Sequence, residues 1–184
     1  MNIYLASRSP RRRELLKQIG IDFEVLDVDI DESSHGNETP EDYVRRIALA
    51  KARTGKALIN ENLPVLAADT AVVLNGHVLG KAENKDDAMA MLERLSGKTH
   101  EVLSAVTVID EQEHTRVNIS KVTFKNLSNT EINDYCLTDE PIGKAGGYAI
   151  QGKAAVFIAR LEGSYSGVMG LPLFETQQLL QGIS

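Results

Sequence analysis

The stretch Pro64-Val65-Leu66-Ala67-Ala68-Asp69-Thr70-Ala71-Val72-Val73-Leu74 decides how this chain folds. It is mostly apolar and rich in strand-forming residues, and Asn75-Gly76 follows it, a strong two-residue hairpin signal. His77 to Leu79 then reads as the return strand. Asp69 interrupts the run with a carboxylate. A carboxylate that stays buried and unpaired is costly. Asp69 therefore either caps a turn and ends the strand early, or it has a metal, a cationic partner or a catalytic task.

Working outward, Ile3 to Ala6 reads as a short buried strand, and Phe23 to Val28 as another. Between them Ser9-Pro10 starts a helix, with Ser as N-cap and Pro at the first helical position. Its apolar stripe is Leu15, Leu16 and Ile19, and Gly20 stops it. Asp29 to Gly36 is an acidic loop. Thr39-Pro40-Glu41-Asp42 opens a longer helix that runs to about Leu58. Its stripe reads Val44, Ile47, Ala48, Lys51, Gly55 and Leu58, which puts a lysine on the core-facing side.

Beyond the hairpin, Asp86 to Leu95 is helical and Gly97 ends it. Val102 to Ile109 and Val117 to Leu127 form an antiparallel pair. Ser128-Asn129-Thr130-Glu131 is a capping box opening a short helix. Then come a glycine-rich segment from Gly143 to Gly152, a strand from Ala154 to Leu161, a loop from Gly163 to Gly170 and a last helix from Pro172 to Leu180. This mixture argues α/β or α+β: helices flanking a mixed, twisted sheet, in two lobes with a central cleft.

Composition narrows the function. The 184 residues carry a net charge of -6, which disfavours a broad nucleic-acid-binding face but allows a local seat for a small anion. The single cysteine, Cys136, permits no internal disulfide and reads as a small core residue. No apolar run approaches the roughly 20 residues that span a bilayer. The N-terminus lacks a secretory pattern, so a cytoplasmic protein is expected. There is no Gly-x-Ser-x-Gly elbow, and His35, His77, His100 and His114 lack metal-ligand spacing and read as surface residues.

Four constellations point to chemistry. Ala6-Ser7-Arg8-Ser9-Pro10-Arg11-Arg12-Arg13 passes from a strand into a helix N-terminus, where free N–H groups favour an anion. Arg11 and Arg12 lean to the buried side; Arg8 and Arg13 face solvent. Lys51, with Lys81 after the return strand, supplies ammonium groups to the space around Asp69. Glu32, in Asp29-Ile30-Asp31-Glu32-Ser33, pairs with Asp69 as hard oxygen donors for a divalent cation. In Lys144-Ala145-Gly146-Gly147-Tyr148-Ala149-Ile150-Gln151-Gly152 the glycines permit close backbone approach, and Gln151 suits a base edge. The plain alternatives are a solvated basic turn, snorkelling lysines, an acidic loop and a tight turn.

Taken together these pieces resemble the Maf proteins, house-cleaning nucleoside triphosphate pyrophosphatases related in fold to inosine triphosphatases. The matching motifs are Ala6 to Arg12, Asp31-Glu32, Lys51-Ala52, Ala68-Asp69-Thr70, Gly80-Lys81, Leu95-Ser96-Gly97, Lys144-Ala145-Gly146, Tyr148 to Gly152 and Gly170-Leu171-Pro172, in order along the whole chain. The resemblance implies one domain over residues 1–184, with two lobes around a substrate cleft. It implies Asp69 as general base, and Ser7, Arg11, Lys51 and Lys81 as phosphate-binding residues. Glu32 and Asp69 would hold a divalent metal (Mg, Mn or Co). Arg12, Thr70 and Gln151 stand at the specificity positions and resemble the branch that acts on dTTP and UTP. Homodimers and inhibition of septum formation are further properties of the family. The alternatives are a pyrophosphatase for 7-methyl-GTP or other modified purine nucleotides, and a non-hydrolytic, nucleotide-responsive regulator of cell division. One departure is Ala82, where the family often has proline; the expectation is a looser loop around Lys81.

Overall fold

The computed structural model describes residues 2–183. Its strands are β1 (Asn2–Ala6), β2 (Asp22–Leu26), β3 (Val65–Leu74), β4 (His77–Leu79), β5 (Thr99–Ile109), β6 (Glu113–Phe124) and β7 (Ile158–Glu162). Its helices are α1 (Pro10–Gln18), α2 (Pro40–Ala57), α3 (Lys85–Leu95), α4 (Asn129–Cys136), α5 (Tyr165–Met169) and α6 (Leu173–Gly182). The strands form one mixed sheet in the order β2-β1-β3-β5-β6-β7, with β4 also on β3. The expected fold class, helices around a mixed sheet, is what forms.

The feature that positions the site is an edge of β3 shared between two strands. One edge pairs antiparallel with β5 from Val65 to Val73. The other meets parallel β1 only at Val65 and Leu66, and antiparallel β4 only from Val72 to Leu74. From Ala67 to Ala71 that edge has no strand partner among the described residues, a gap of roughly 20 Å between the outer pairs at about 3.3 Å per residue. Both flanking strands run towards the gap, so the segments after Ala6 and Leu79 leave the sheet beside Asp69.

Side-chain alternation separates the two faces of β3. Val65, Ala67, Ala71 and Val73 pack towards α2, against Ala52, Ala48 and Val44. On the other face Leu66 and Ala68 meet Leu15 and Leu16 of α1 and Leu179 and Leu180 of α6. Further along that face Val72 and Leu74 join α3 and α4. Asp69 therefore faces α2, and Thr70 faces the seam between the other two groups. Gly55 lets α2 lie close: a Cβ there would come within 2.9 Å of Ala6 and 3.0 Å of Val65. Within the α2 stripe, Leu58 lies at the C-cap and is 59% exposed, while Ala52 takes the expected inward role.

The turn and cap signals form as expected except at Ser9. Asn75 and Gly76 have φ of 52° and 78°, which gives the hairpin its matching twist. Thr39 accepts from the Asp42 N–H, and both bonds of the Ser128–Glu131 capping box are present. Ser9 occupies the N-cap position of α1 but makes no side-chain cap; its N–H donates to Ser7 Oγ instead.

Three expectations are corrected. Ala154 to Leu161 is not one strand: Lys153–Phe157 is a 3₁₀ turn, and β7 starts at Ile158. The Glu140 carboxylate accepts the Lys153 and Ala154 N–H groups and caps that turn. The three-residue period buries Ala154 and Phe157 and leaves Val156 73% exposed. The segment Gly163 to Gly170 contains α5, which Ser164 caps by accepting from the Gly167 N–H. His100 is buried rather than at the surface. It shares the inward alternation of Val102 and Val106 on β5, packs edge-on against Phe124, and lies 2.7 Å from Tyr148 Oη through Nε2.

Burial holds His100 down at about 4, against an ordinary value of 6.5. The folded protein therefore resists a proton that the unfolded chain accepts, and stability falls as pH drops from 6.5 towards 4. We expect His100→Gln to remove about 2 kcal/mol of the difference in unfolding free energy between pH 7 and pH 5. Urea unfolding at the two pH values checks this; an unchanged difference would exclude His100 as the titrating group.

Candidate active site

A cavity of about 950 Å³ opens at the β3 gap. Ser7, Arg11, Arg12, Glu32, Lys51, Asp69, Thr70, Lys81 and Gln151 all line it. They come from the β1–α1 turn and the start of α1, the acidic loop, α2, β3, the segment after β4 and the glycine-rich segment.

On the α2 face the charges form a chain. Lys51 Nζ lies 2.9 Å from Asp69 Oδ1 and 2.6 Å from Glu32 Oε1. Lys81 Nζ lies 2.7 Å from Glu32 Oε2. The Lys51 and Asp69 side chains are only 11% and 9% exposed, so the lysine does not snorkel away. Asp69 Oδ2 accepts no hydrogen bond among the described residues. Burial opposes ionisation of Glu32, but its hydrogen bonds to Lys51 and Lys81 outweigh burial and hold its carboxyl at about 2. The acidic loop is held over α2 by Tyr43 Oη, which donates to the Glu32 carbonyl at 3.0 Å, and by Arg46, which donates to the Ser33 carbonyl and to Glu38. Burial and the charges of Asp69 and Glu32 push the Tyr43 hydroxyl up to about 12, so it remains a donor.

On the opposite face Arg12 reaches over the seam. It donates through Nε to the Gly170 carbonyl at 2.7 Å and also contacts Ser7 Oγ and Thr70 Oγ1. Thr70 Oγ1 lies 2.8 Å from Ser104 Oγ, which donates to the Gly167 carbonyl at 2.6 Å. Thr70 and Arg12 are thus joined to α5 through a buried serine. Burial lowers the pKa of both Arg11 and Arg12. Arg11 makes no hydrogen bond or ion pair among the described residues. Arg8 is exposed as expected and pairs with Asp27; Arg13 is half-buried rather than solvent-facing.

The loop carrying Lys81 is not loosened by Ala82. The Ala82 N–H donates to the Lys144 carbonyl at 3.2 Å, a bond proline could not make. The Ala82 carbonyl accepts from the Gly143 N–H at 2.8 Å, and Lys81 bridges Ala145. Gly146, with φ of 67°, presses on Val72, where a Cβ would come within 2.9 Å. Gln151 is exposed at the cavity, and its amide makes no hydrogen bond among the described residues.

Two residues of the site carry no mark in the chain. Ser104 looks like any polar residue in a strand, and only its inward register with Val102 and Val106 hints at burial. Glu140 accepts from Tyr135 Oη at 2.8 Å as well as from the Lys153 and Ala154 N–H groups, and so shapes the turn after Gln151.

Breaking the buried Lys51 pair should be costly, because two carboxylates remain beside each other without their shared cation. Lys51→Met is expected to destabilise the fold by about 3 kcal/mol at pH 7. The loss should shrink near pH 4, as Glu32 becomes free to protonate. Denaturant melts at both pH values check this; a loss that does not depend on pH would contradict the electrostatic cause.

A family model described as Maf-like protein matches residues 2–183. A dTTP/UTP pyrophosphatase of Alkalilimnicola ehrlichii is 54% identical to this chain, covering 97% of it and 91% of that protein. A dTTP/UTP pyrophosphatase of Nitrosospira multiformis is 55% identical, covering 97% of this chain and 93% of its own. The solved structure of the Staphylococcus aureus Ham1 protein superposes over 100% of both chains with a TM-score of 0.54 and 16% identity, a likeness of fold.

Proposed function

The chain belongs to the Maf family, and on that premise we propose that its cleft hydrolyses dTTP and UTP to the monophosphate and pyrophosphate. The relatives named above support the substrate. The observation that carries the chemistry is Asp69: a carboxylate in the unpaired stretch of β3, oriented by Lys51 through one oxygen and free at the other.

In this reading Asp69 Oδ2 takes a proton from the water that attacks the α-phosphorus. Lys51 fixes the Asp69 side chain through Oδ1, and Glu32 holds Lys51 and Lys81 in place. Ser7, Arg11, Lys51 and Lys81 offer donors to phosphate oxygens. Negative charge spreads over those oxygens in the transition state, and positioned cations stabilise it. Arg12, Thr70 and Gln151 take the base side. Thr70 and Arg12 are locked to the Gly170 carbonyl, whereas the Gln151 amide is free to pair.

A divalent metal fits the donor set. Asp69 and Glu32 already converge on one cation, the Lys51 ammonium, and among the described residues no third His, Cys, Asp or Glu joins them. Two carboxylates completed by substrate phosphate oxygens is a usual arrangement for Mg²⁺. Asp69 and Glu32 would hold Mg, Mn or Co, and the ion would supply charge neutralisation and a more acidic water. Pyrophosphate release that persists undiminished in a chelator would count against it.

We also place the protein in the cytoplasm, where nucleoside triphosphates are drawn on for synthesis, as one domain with two lobes about the cleft. No helix among the described residues is long and apolar enough to cross a membrane. A homodimer belongs to the same proposal, as the family resemblance implies. Exposed Ile119 on β6 and Phe174 on α6 supply apolar surface for pairing. A single-chain mass in sedimentation would overturn that state.

Two outcomes test the site. Asp69→Asn keeps the shape and removes the base, so turnover of dTTP should fall on the order of 10²–10⁴-fold; near-normal pyrophosphate release would sink the assignment. Gln151→Glu should change the ratio of dTTP to purine triphosphate turnover, because a mismatched polar partner is left unpaired. A uniform loss on a panel of eight triphosphates would make Gln151 structural instead.

A further inference from the structure

Positive charge in the cleft is distributed unevenly between paired and unpaired groups. Lys51 and Lys81 are both neutralised, through Glu32 and Asp69. Arg11 and Lys144 are not. Both line the cavity, and neither forms an ion pair among the described residues. Lys144 Nζ donates only to a backbone oxygen, the Glu140 carbonyl. The Glu140 carboxylate makes no ion pair with it, being turned to Tyr135 Oη and the Lys153 and Ala154 N–H groups, and its charge only partly offsets the effects of burial and of Arg11. Burial lowers the pKa of Lys144, and the charge of Arg11 lowers it further. Two cations thus share one wall of the cleft and repel each other.

Lys144 is also held in place. Its N–H donates to the Pro141 carbonyl, and its own carbonyl accepts from the Ala82 and Gly147 N–H groups at 3.2 and 3.0 Å. Gly143 and Gly146 flank it at positive φ, which makes the turn that presents the side chain. The backbone therefore holds a charged group where desolvation and repulsion together outweigh the attraction of Glu140. An anion of high charge density would satisfy both cations at once.

We infer that Lys144 and Arg11 together seat the terminal phosphates of the substrate, the part that leaves as pyrophosphate. This rests on the proposed hydrolysis of a nucleoside triphosphate. As the bond to the α-phosphorus breaks, negative charge grows on the departing bridging oxygen and its phosphate chain. Cations fixed there stabilise it, while the α-phosphorus lies with Asp69. Lys144 is a substrate-binding residue in this scheme, and it moves no proton.

The test is calorimetric binding of inorganic pyrophosphate with magnesium, and in parallel of dTMP, to the whole protein. Lys144→Gln should weaken pyrophosphate on the order of tenfold or more, the range of a charge-assisted hydrogen bond, and leave dTMP within about twofold. Lys144→Arg, which keeps the charge, should retain most of the pyrophosphate affinity. Unchanged pyrophosphate binding in Lys144→Gln would overturn the inference, and so would an equal loss for dTMP. Binding needs no turnover, so absent dTTP hydrolysis in the unaltered protein would count against the pyrophosphatase reading alone.

Discussion

The site depends on one topological constraint: β1 and β4 share an edge of β3 without meeting. A strand edge left without a partner must offer its backbone groups to water, ligand or side chains. Here the open stretch faces a cavity, and both flanking strands deliver their outgoing chains to it. The β1 exit carries Ser7, Arg11 and Arg12, and the β4 exit carries Lys81. Because adjacent residues of β3 point to opposite faces, Asp69 and Thr70 divide the work from neighbouring positions. Asp69 enters the ion-pair chain under α2, and Thr70 enters the hydroxyl network around α5.

Electrostatics give the cleft its polarity. Lys51 is shared by Asp69 and Glu32, and Lys81 adds a second cation to Glu32. This cluster is balanced, two carboxylates against two ammonium groups. Arg11 and Lys144 lie outside that balance, and Arg12 donates its hydrogen bonds to neutral oxygens of Gly170, Ser7 and Thr70. A highly charged chain entering the cleft meets a neutralised end and an unsatisfied one. In the proposed reaction that difference would give a polyphosphate a direction.

Much of this was legible in the residues. The helix starts at Thr39 and Ser128 and the turn at Asn75-Gly76 rest on local backbone chemistry, and local chemistry survives folding. Lys51 was legible as an anomaly, because a cation on an apolar stripe contradicts its neighbours. The errors share a cause. The turn at Lys153–Phe157 is set by a carboxylate thirteen residues earlier, and no local pattern carries that information. His100 lies in an alternation too ambiguous, for a titratable residue, to separate core from surface. Ala82 suggests looseness only while its partner, the Lys144 carbonyl, is out of view.

The sequence alone determined most element types and the family, and it pointed to nine residues that line the cavity, because motifs, caps and periodicity are properties of short stretches. The tertiary structure decided which of those residues touch. It paired Lys51 with both carboxylates, set Thr70 and Asp69 on opposite faces, buried Ser104 behind Thr70, and left Arg11 and Lys144 without an ion pair among the described residues. Charge balance is a sum over groups distant in the chain. It exists only once strand pairing has brought them to one place.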